Sequence, residues 1–192
     1  MQKKRPNEKT IFEYASIRNK SGVRVHRDFE GIAFCIRGLD KANKGERRPH
    51  MLYLYVKGNF IVATNGARLH EYRLKEKLPE GFYSVIKKLK TFIIICHEHD
   101  VAEKYPAWKK LIPNKSQLNI DRTDLRNVVV IDNNNDETLF QLNKLASHPI
   151  RFDYIKALEN GMTLKYYEED KSMFYFNNYD DTMRAIVMGM SP

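Results

Sequence analysis

The feature that most constrains the fold of this chain is a helix followed by three short strands, an arrangement that the sequence pattern predicts twice. The first copy, at about residues 28–96, has a helix with Asp28 as its N-cap and then strands at 51–56, 60–64 and 67–74. The second copy, at about residues 150–190, has a helix at 152–159 and then strands at 163–167, 173–176 and 183–190. Apolar residues recur at helical spacing in both helices, and turn residues separate the alternating strands. The pattern predicts an α+β protein with antiparallel sheets.

Other segments are predicted from the same local patterns. Further strands are expected at residues 11–17, 82–85, 91–96, 128–131 and 138–145. In the second helix, Phe152, Ile155 and Leu158 are expected to point inward. Residues 1–10 are polar and basic and are predicted to form a disordered N-terminus.

Three segments far apart in the sequence carry a more specific pattern: residues 61–70 (IVATNGARLH), 105–113 (YPAWKKLIP) and 185–190 (AIVMGM). In this order they resemble the bacterial DNA polymerase sliding clamp, the beta subunit of the replicative polymerase. That family has a Val-Ala-Thr-Asp-Gly-His-Arg-Leu strand, a basic and aromatic linker between two prolines, and a Val-Met-Pro-Met-like final strand. The chain departs from the family at Asn65, Ala67 and Gly189, where the family has Asp, His and Pro.

The resemblance implies a DNA clamp domain, the processivity fold, built from two helix-plus-antiparallel-sheet halves. We therefore expect a single clamp-like domain at residues 11–192, with halves at about 11–104 and 114–192 joined by a linker segment at 105–113.

In the sliding clamp family the three segments meet in an apolar pocket that grips clamp-binding peptides. Leu69, Leu111, Met188 and Pro106 would supply its walls. Arg68 and Lys110 would meet acidic or C-terminal groups of the peptide at its rim. The alternative is that these apolar residues are ordinary core. The residues that fall on the family's motifs are Thr64, Gly66, Arg68, Leu69, Pro106, Lys110, Leu111, Val187, Met188 and Met190.

The charge of the chain is unevenly distributed. Residues 1–110 contain 24 Lys and Arg against 12 Asp and Glu, whereas residues 111–192 contain 9 against 12. A basic half is typical of a protein that contacts a polyanion, and clamps contact duplex DNA through phosphates without reading sequence. A solvated basic surface is the alternative. The candidate DNA-binding residues are Arg37, Lys41, Lys44, Arg47, Arg48, Lys87, Lys88 and Lys90.

Several classes of protein are not indicated by the sequence. Cys35 and Cys96 lie in apolar runs and are expected to be buried free thiols of a cytoplasmic protein. The chain has no signal peptide pattern and no apolar run long enough for a membrane span. No cofactor motif is found. The residues 97–100 (HEHD) provide two histidines but no further ligand placed by sequence, so no metal site is predicted.

Three functions are consistent with these patterns. The first is a non-catalytic clamp-like protein of DNA replication, of the kind a phage or mobile element would encode. Its partners would be double-stranded DNA and a DNA polymerase or other clamp-binding proteins, and self-association into a homo-oligomer is left open. The second is an adaptor or decoy that keeps the peptide pocket and forms no ring. The third is a DNA-processing enzyme that uses the acidic clusters at 168–170 and 180–181.

Overall fold

The computed structural model describes residues 12–17, 20–25, 27–39, 51–99, 101, 104–114, 118, 129–132, 137–145, 148–168 and 172–189. Within these ranges the chain forms ten strands, three α-helices and a 3₁₀ turn at Trp108–Lys110. The elements are β1 (Phe12–Ile17), β2 (Lys20–Val25), α1 (Phe29–Gly38), β3 (Leu54–Lys57), β4 (Phe60–Thr64), β5 (Arg68–Arg73), β6 (Gly81–Lys88), β7 (Ile93–Glu98), α2 (Glu137–Leu145), α3 (Phe152–Ile155), β8 (Thr163–Glu168), β9 (Met173–Asn177) and β10 (Met183–Met188).

All ten strands belong to one antiparallel sheet, in the order β1-β2-β7-β6-β3-β4-β5-β10-β9-β8. Strands β3, β4 and β5 form a meander after α1, and β8, β9 and β10 form a second meander after α3. The two meanders join through their last strands, because β5 pairs with β10 from Met183↔Tyr72 to Val187↔Arg68. The predicted α+β class with two helix-and-sheet halves is confirmed.

The sheet has two covered faces, because successive side chains of a strand point to opposite sides. On one side, which we call the helix face, the larger core includes Phe34 of α1, Leu142 of α2 and Ile155 of α3. The other side, which we call the linker face, carries a smaller cluster. Its buried members are Val62, Leu69, Trp108, Tyr166, Met173, Tyr175 and Ile186.

Helix α1 is held tightly against β5. Gly31 lies so close to Tyr72 that a Cβ atom at this position would be 2.3 Å from the tyrosine ring, so glycine permits the approach. Asp28 is the N-cap residue, as predicted, but its side chain does not cap the helix. Its Oδ1 instead accepts hydrogen bonds from the Tyr72 hydroxyl (2.8 Å) and the Lys75 backbone N–H (3.0 Å). Asp28 therefore ties the start of α1 to the end of β5.

Two local predictions are wrong, and a third is met only in part. Residues 138–145 form helix α2 and not a strand; Thr138 and Leu142, one helical turn apart, are buried while Phe140 is 59% exposed. A short apolar run cannot separate helix from strand by its pattern alone. In the described part of the predicted strand 128–131, Val130 forms an isolated antiparallel bridge to Thr163, flanked by backbone hydrogen bonds from the Leu164 N–H to the Val129 carbonyl (2.9 Å) and from the Ile131 N–H to the Met162 carbonyl (2.8 Å). Phe152 is 37% exposed, whereas it was expected to point inward.

Two further expectations concern the cysteines and the membrane. Cys35 and Cys96 are buried and form no disulfide. Among the helices in the described ranges, none is long and apolar enough to cross a membrane.

Candidate partner-binding site

The turn between β4 and β5 is built by its own side chains. The Thr64 hydroxyl donates to the Arg68 carbonyl (2.7 Å) and accepts from the Gly66 N–H (3.0 Å). Asn65 Oδ1 accepts from the N–H groups of Ala67 (3.1 Å) and Arg68 (2.9 Å). Gly66 has a φ of +91°, a conformation that glycine adopts without steric cost. Asn65, a departure from the family's Asp, therefore still supplies the oxygen that closes the turn.

The three predicted segments meet on the linker face. Leu69 of β5 stands opposite Ile186 of β10, and the Met188 N–H donates to the Ala67 carbonyl (2.9 Å). Trp108 of the linker segment is 4% exposed and lies in the same apolar cluster as Leu69 and Ile186. Three segments that are far apart in the sequence thus form one surface.

Aromatic contacts hold the linker segment on the sheet. The rings of Tyr105 and Tyr55 are stacked, with centroids 4.6 Å apart and planes 3° from parallel. The Trp108 ring meets Tyr55 edge-on at 5.8 Å, and the Tyr105 ring is 6.0 Å from that of Phe82. Ile112 packs against the same cluster. Such ring pairs add to the apolar area that they bury.

A buried carboxylate adds a polar anchor. Glu71 is 1% exposed, and its Oε2 accepts from the Trp108 indole N–H (2.5 Å) and the Lys109 ammonium (2.8 Å). Its Oε1 accepts from Arg184 (3.3 Å), which also binds Asp181. The hydrogen bond to Asp181 raises the pKa of the Arg184 guanidinium. Two cations therefore balance the buried charge of Glu71.

Because successive side chains of a strand point to opposite faces, the predicted pocket residues are divided between the helix face and the linker face. Arg68 points to the helix face, where its guanidinium donates to the carbonyls of Leu39 and Asp153 (3.3 Å each) and lies 4.9 Å from the Tyr154 ring. Val187 is buried in the helix-face core. Neither residue shares the linker face with Leu69.

The other predicted pocket residues lie at or near the linker face. Leu69 is buried there, Met188 is half-buried against the cluster, and Leu111 is 47% exposed. Pro106 and Lys110 are exposed, whereas Thr64 and Gly66 form the turn before β5. Met190 lies outside the described residues.

Three further residues complete the surface and were not among those predicted: Trp108, Ile186 and Glu71. The alternation of side chains along a strand would have indicated Ile186, since it lies two residues before Met188 on the same face. Trp108 is the single tryptophan of the chain and lies between two prolines. Nothing in the local sequence indicates the contact of Glu71 with the linker segment.

The candidate DNA-binding residues have different environments. Arg37 is half-buried, donates to the Ala157 carbonyl (2.9 Å) and forms an ion pair with Glu159. Lys87, Lys88 and Lys90 are exposed at the end of β6 and in the turn after it. Lys41, Lys44, Arg47 and Arg48 lie outside the described residues.

The acidic pair at 180–181 and the two histidines have local roles, whereas residues 169–170 of the other acidic cluster lie outside the described residues. Asp180 accepts from the Thr182 hydroxyl (2.7 Å), and this hydrogen bond lowers the pKa of Asp180. Asp181 binds Arg184, so both carboxylates stabilise the β9–β10 turn. His97 Nδ1 is 3.2 Å from His99 Nδ1, and no group of three metal ligands exists among the described residues.

Comparison with known proteins gives a likeness in structure alone. No protein-family model matches the sequence, and no curated protein matches it. The structure, an α+β domain whose sheet carries helices on one face and the linker segment on the other, is similar to solved sliding clamps. The DNA polymerase III beta chain of Streptococcus pneumoniae aligns over 93% of this chain and 67% of its own, with a TM-score of 0.54 and 10% identity.

Two other clamps give the same result. The Borrelia burgdorferi beta subunit, solved with a natural product, aligns over 94% of this chain and 64% of its own, with a TM-score of 0.54 and 11% identity. The Caulobacter crescentus clamp aligns over 93% and 68%, with a TM-score of 0.52 and 12% identity. The chain therefore has the bacterial sliding-clamp fold, as its three segments predicted, and spans about two thirds of the length of these subunits.

Proposed function

We propose that this chain is a non-catalytic clamp-fold protein of DNA replication that binds segments of a DNA polymerase or other clamp-binding proteins on its linker face. The observation that carries the proposal is the meeting of three distant segments in one apolar cluster, with Leu69, Trp108 and Ile186 at its base. The likeness of fold to DNA polymerase sliding clamps supports the replication setting.

The chemistry of the linker face suits an apolar peptide. Leu111 is 47% exposed although the turn that carries it is fixed by Trp108, and Met188 and Ile112 are half-buried. Apolar side chains held at the surface over a rigid floor are typical of binding sites. The flexible side chain of Met188 could fit several ligands, and Lys110, which is exposed, could meet an acidic group of the peptide.

A binding assay with matched leucine variants tests this proposal. The probe is a fluorescein-labelled clamp-binding peptide of a bacterial replicative polymerase, followed by anisotropy. We expect Leu111→Ser to weaken binding about tenfold, because burying a leucine side chain contributes roughly 1.5–3 kcal/mol. Leu89, 38% exposed in the turn after β6, provides the control Leu89→Ser, which should bind as wild type does. Equal binding by the two variants would show that the site is elsewhere.

DNA binding is the second part of the proposal. Two features support contact with phosphates: the excess of positive charge over residues 1–110, and the exposed side chains of Lys87, Lys88 and Lys90. Encirclement of duplex DNA by a chain of this length would require several copies, so a homo-oligomer forms part of this proposal.

The adaptor or decoy function is favoured by a different observation. Residues Gly31 to Cys35 of α1 are all buried, and Arg37 is engaged by Glu159, so α1 does not present an open basic face. Size exclusion with light scattering at low and moderate salt separates the two functions. A closed oligomer that binds duplex DNA supports the clamp, and a monomer that binds the peptide supports the adaptor.

A further inference from the structure

Glu71 occupies a central position beneath the linker segment. It lies on the linker face of β5, two residues from Leu69, and its neighbours across the sheet are Val62 on β4 and Arg184 on β10. Its side chain is 1% exposed. A carboxylate this deeply buried requires charged or hydrogen-bonding partners to offset the loss of water.

Two consecutive residues of the linker segment provide those partners. The Trp108 indole N–H and the Lys109 ammonium both donate to Oε2 of Glu71, at 2.5 Å and 2.8 Å. The Lys109 ammonium also lies 3.4 Å from the centroid of the Phe60 ring, which fixes it over β4. Hydrogen bonds to a charged group are stronger than neutral ones and fix geometry more closely.

The anchored Trp108 also fixes the exposed part of the linker segment. The Leu111 N–H donates to the Trp108 carbonyl (2.9 Å), so the 3₁₀ turn places Leu111 relative to the anchored indole. We propose that Glu71 is a positioning residue, which fixes the linker segment on the sheet and thereby sets the wall of the partner-binding surface. This inference rests on the proposed function for its effect on binding, but the docking of the linker segment can be measured separately.

The single tryptophan makes that measurement direct. Acrylamide quenching of Trp108 fluorescence reports how well the linker segment covers the indole, with or without a partner. We expect Glu71→Gln to increase quenching and to weaken binding of the labelled polymerase peptide about tenfold, since it removes the charge from both hydrogen bonds that hold the linker segment. Lys109→Gln should act in the same direction, whereas Lys110→Gln, its neighbour, should leave quenching unchanged.

Two controls separate positioning from general stability. Ile155→Val, on the helix face, should lower the thermal midpoint without changing quenching or peptide affinity. Glu80→Gln, an exposed carboxylate, should change neither. If Glu71→Gln does not fold, the Lys109→Gln variant decides the question.

The outcomes are distinct. Increased quenching together with weaker peptide binding supports the proposal. Unchanged quenching in both the Glu71 and Lys109 variants overturns it, and so does increased quenching with unchanged affinity. If the wild-type chain binds no peptide, the proposed function fails, and quenching alone decides whether Glu71 positions the linker segment.

Discussion

We predict that the folded protein loses stability in acid because His70 is buried between β5 and α1. The imidazole is fully buried and stacked on Phe34, with ring centroids 4.3 Å apart. Its Nδ1–H donates to the Phe34 carbonyl (2.8 Å), and its Nε2 has no hydrogen-bond partner among the described residues. Burial lowers the pKa of His70 to about 3, because a charged ring would lose its water there.

The sign and size of the effect follow from linkage. In the unfolded chain the imidazole titrates near pH 6.5, so below that pH the unfolded state binds a proton that the folded state does not. The contribution of His70 to stability is complete above pH 6.5 and is lost as the pH falls toward 3. Between pH 7.5 and 4.5 the loss is about 2.7 kcal/mol, at 1.36 kcal/mol for each of about two pH units. This is a large part of the 5–15 kcal/mol that stabilises a typical domain.

Urea unfolding, followed by Trp108 fluorescence at pH 7.5, 6.5, 5.5 and 4.5, measures this loss. In His70→Asn the amide can still donate to the Phe34 carbonyl but cannot titrate. The variant should be less stable than wild type at pH 7.5, because the smaller side chain leaves a cavity. The difference should shrink by about 2.7 kcal/mol on going to pH 4.5. His99→Asn, at an exposed position, is the control; parallel profiles for wild type and His70→Asn would refute the reasoning.

Three further predictions concern the helix, the turn and the basic surface. Gly31→Ala should lower the free energy of unfolding in urea by about 3 kcal/mol, since its Cβ would overlap the Tyr72 ring. The control Gly58→Ala, at a φ of +59° in open space, should lower it by about 1 kcal/mol. Equal losses would contradict this packing. Thr64→Val should cost about 1–3 kcal/mol because it removes both hydrogen bonds of the hydroxyl, and a cost near zero would show that they do not stabilise the turn. Changing Lys87, Lys88 and Lys90 together to Glu should weaken duplex DNA binding and reduce the slope of log K against log salt concentration by at least about 2.7. The control Lys165→Glu on β8 should have neither effect. Unchanged DNA binding in the triple variant would place the phosphate contacts elsewhere.

Local patterns predicted the parts of the fold that depend on neighbours in the sequence. The two hairpins of β3, β4 and β5 were predictable because alternating strands are separated by Gly58-Asn59 and Asn65-Gly66. Helix α2 was missed because its short apolar run also fits a strand, and packing of Leu142 into the core decides the outcome.

The sequence indicated which segments form the candidate site, but not which face of the sheet each residue occupies. The three motifs indicated which segments come together, but the side of the sheet that each residue occupies depends on the pairing of Leu69 with Ile186, a long-range contact. Arg68 and Val187 consequently lie on the helix face, and Ile186 takes a place on the linker face. The bond between Glu71 and Trp108 depends on tertiary structure alone, so no local pattern could indicate it.

Hydrogen–deuterium exchange with and without the polymerase peptide tests the central claim most directly. If the three segments form one partner-binding surface, the peptide should slow exchange at residues 66–69, 105–113 and 185–189 together, because each lies in or next to the linker-face cluster. Protection confined to the helix face, at 137–145 and 152–158, or at only one of the three segments, would contradict the account.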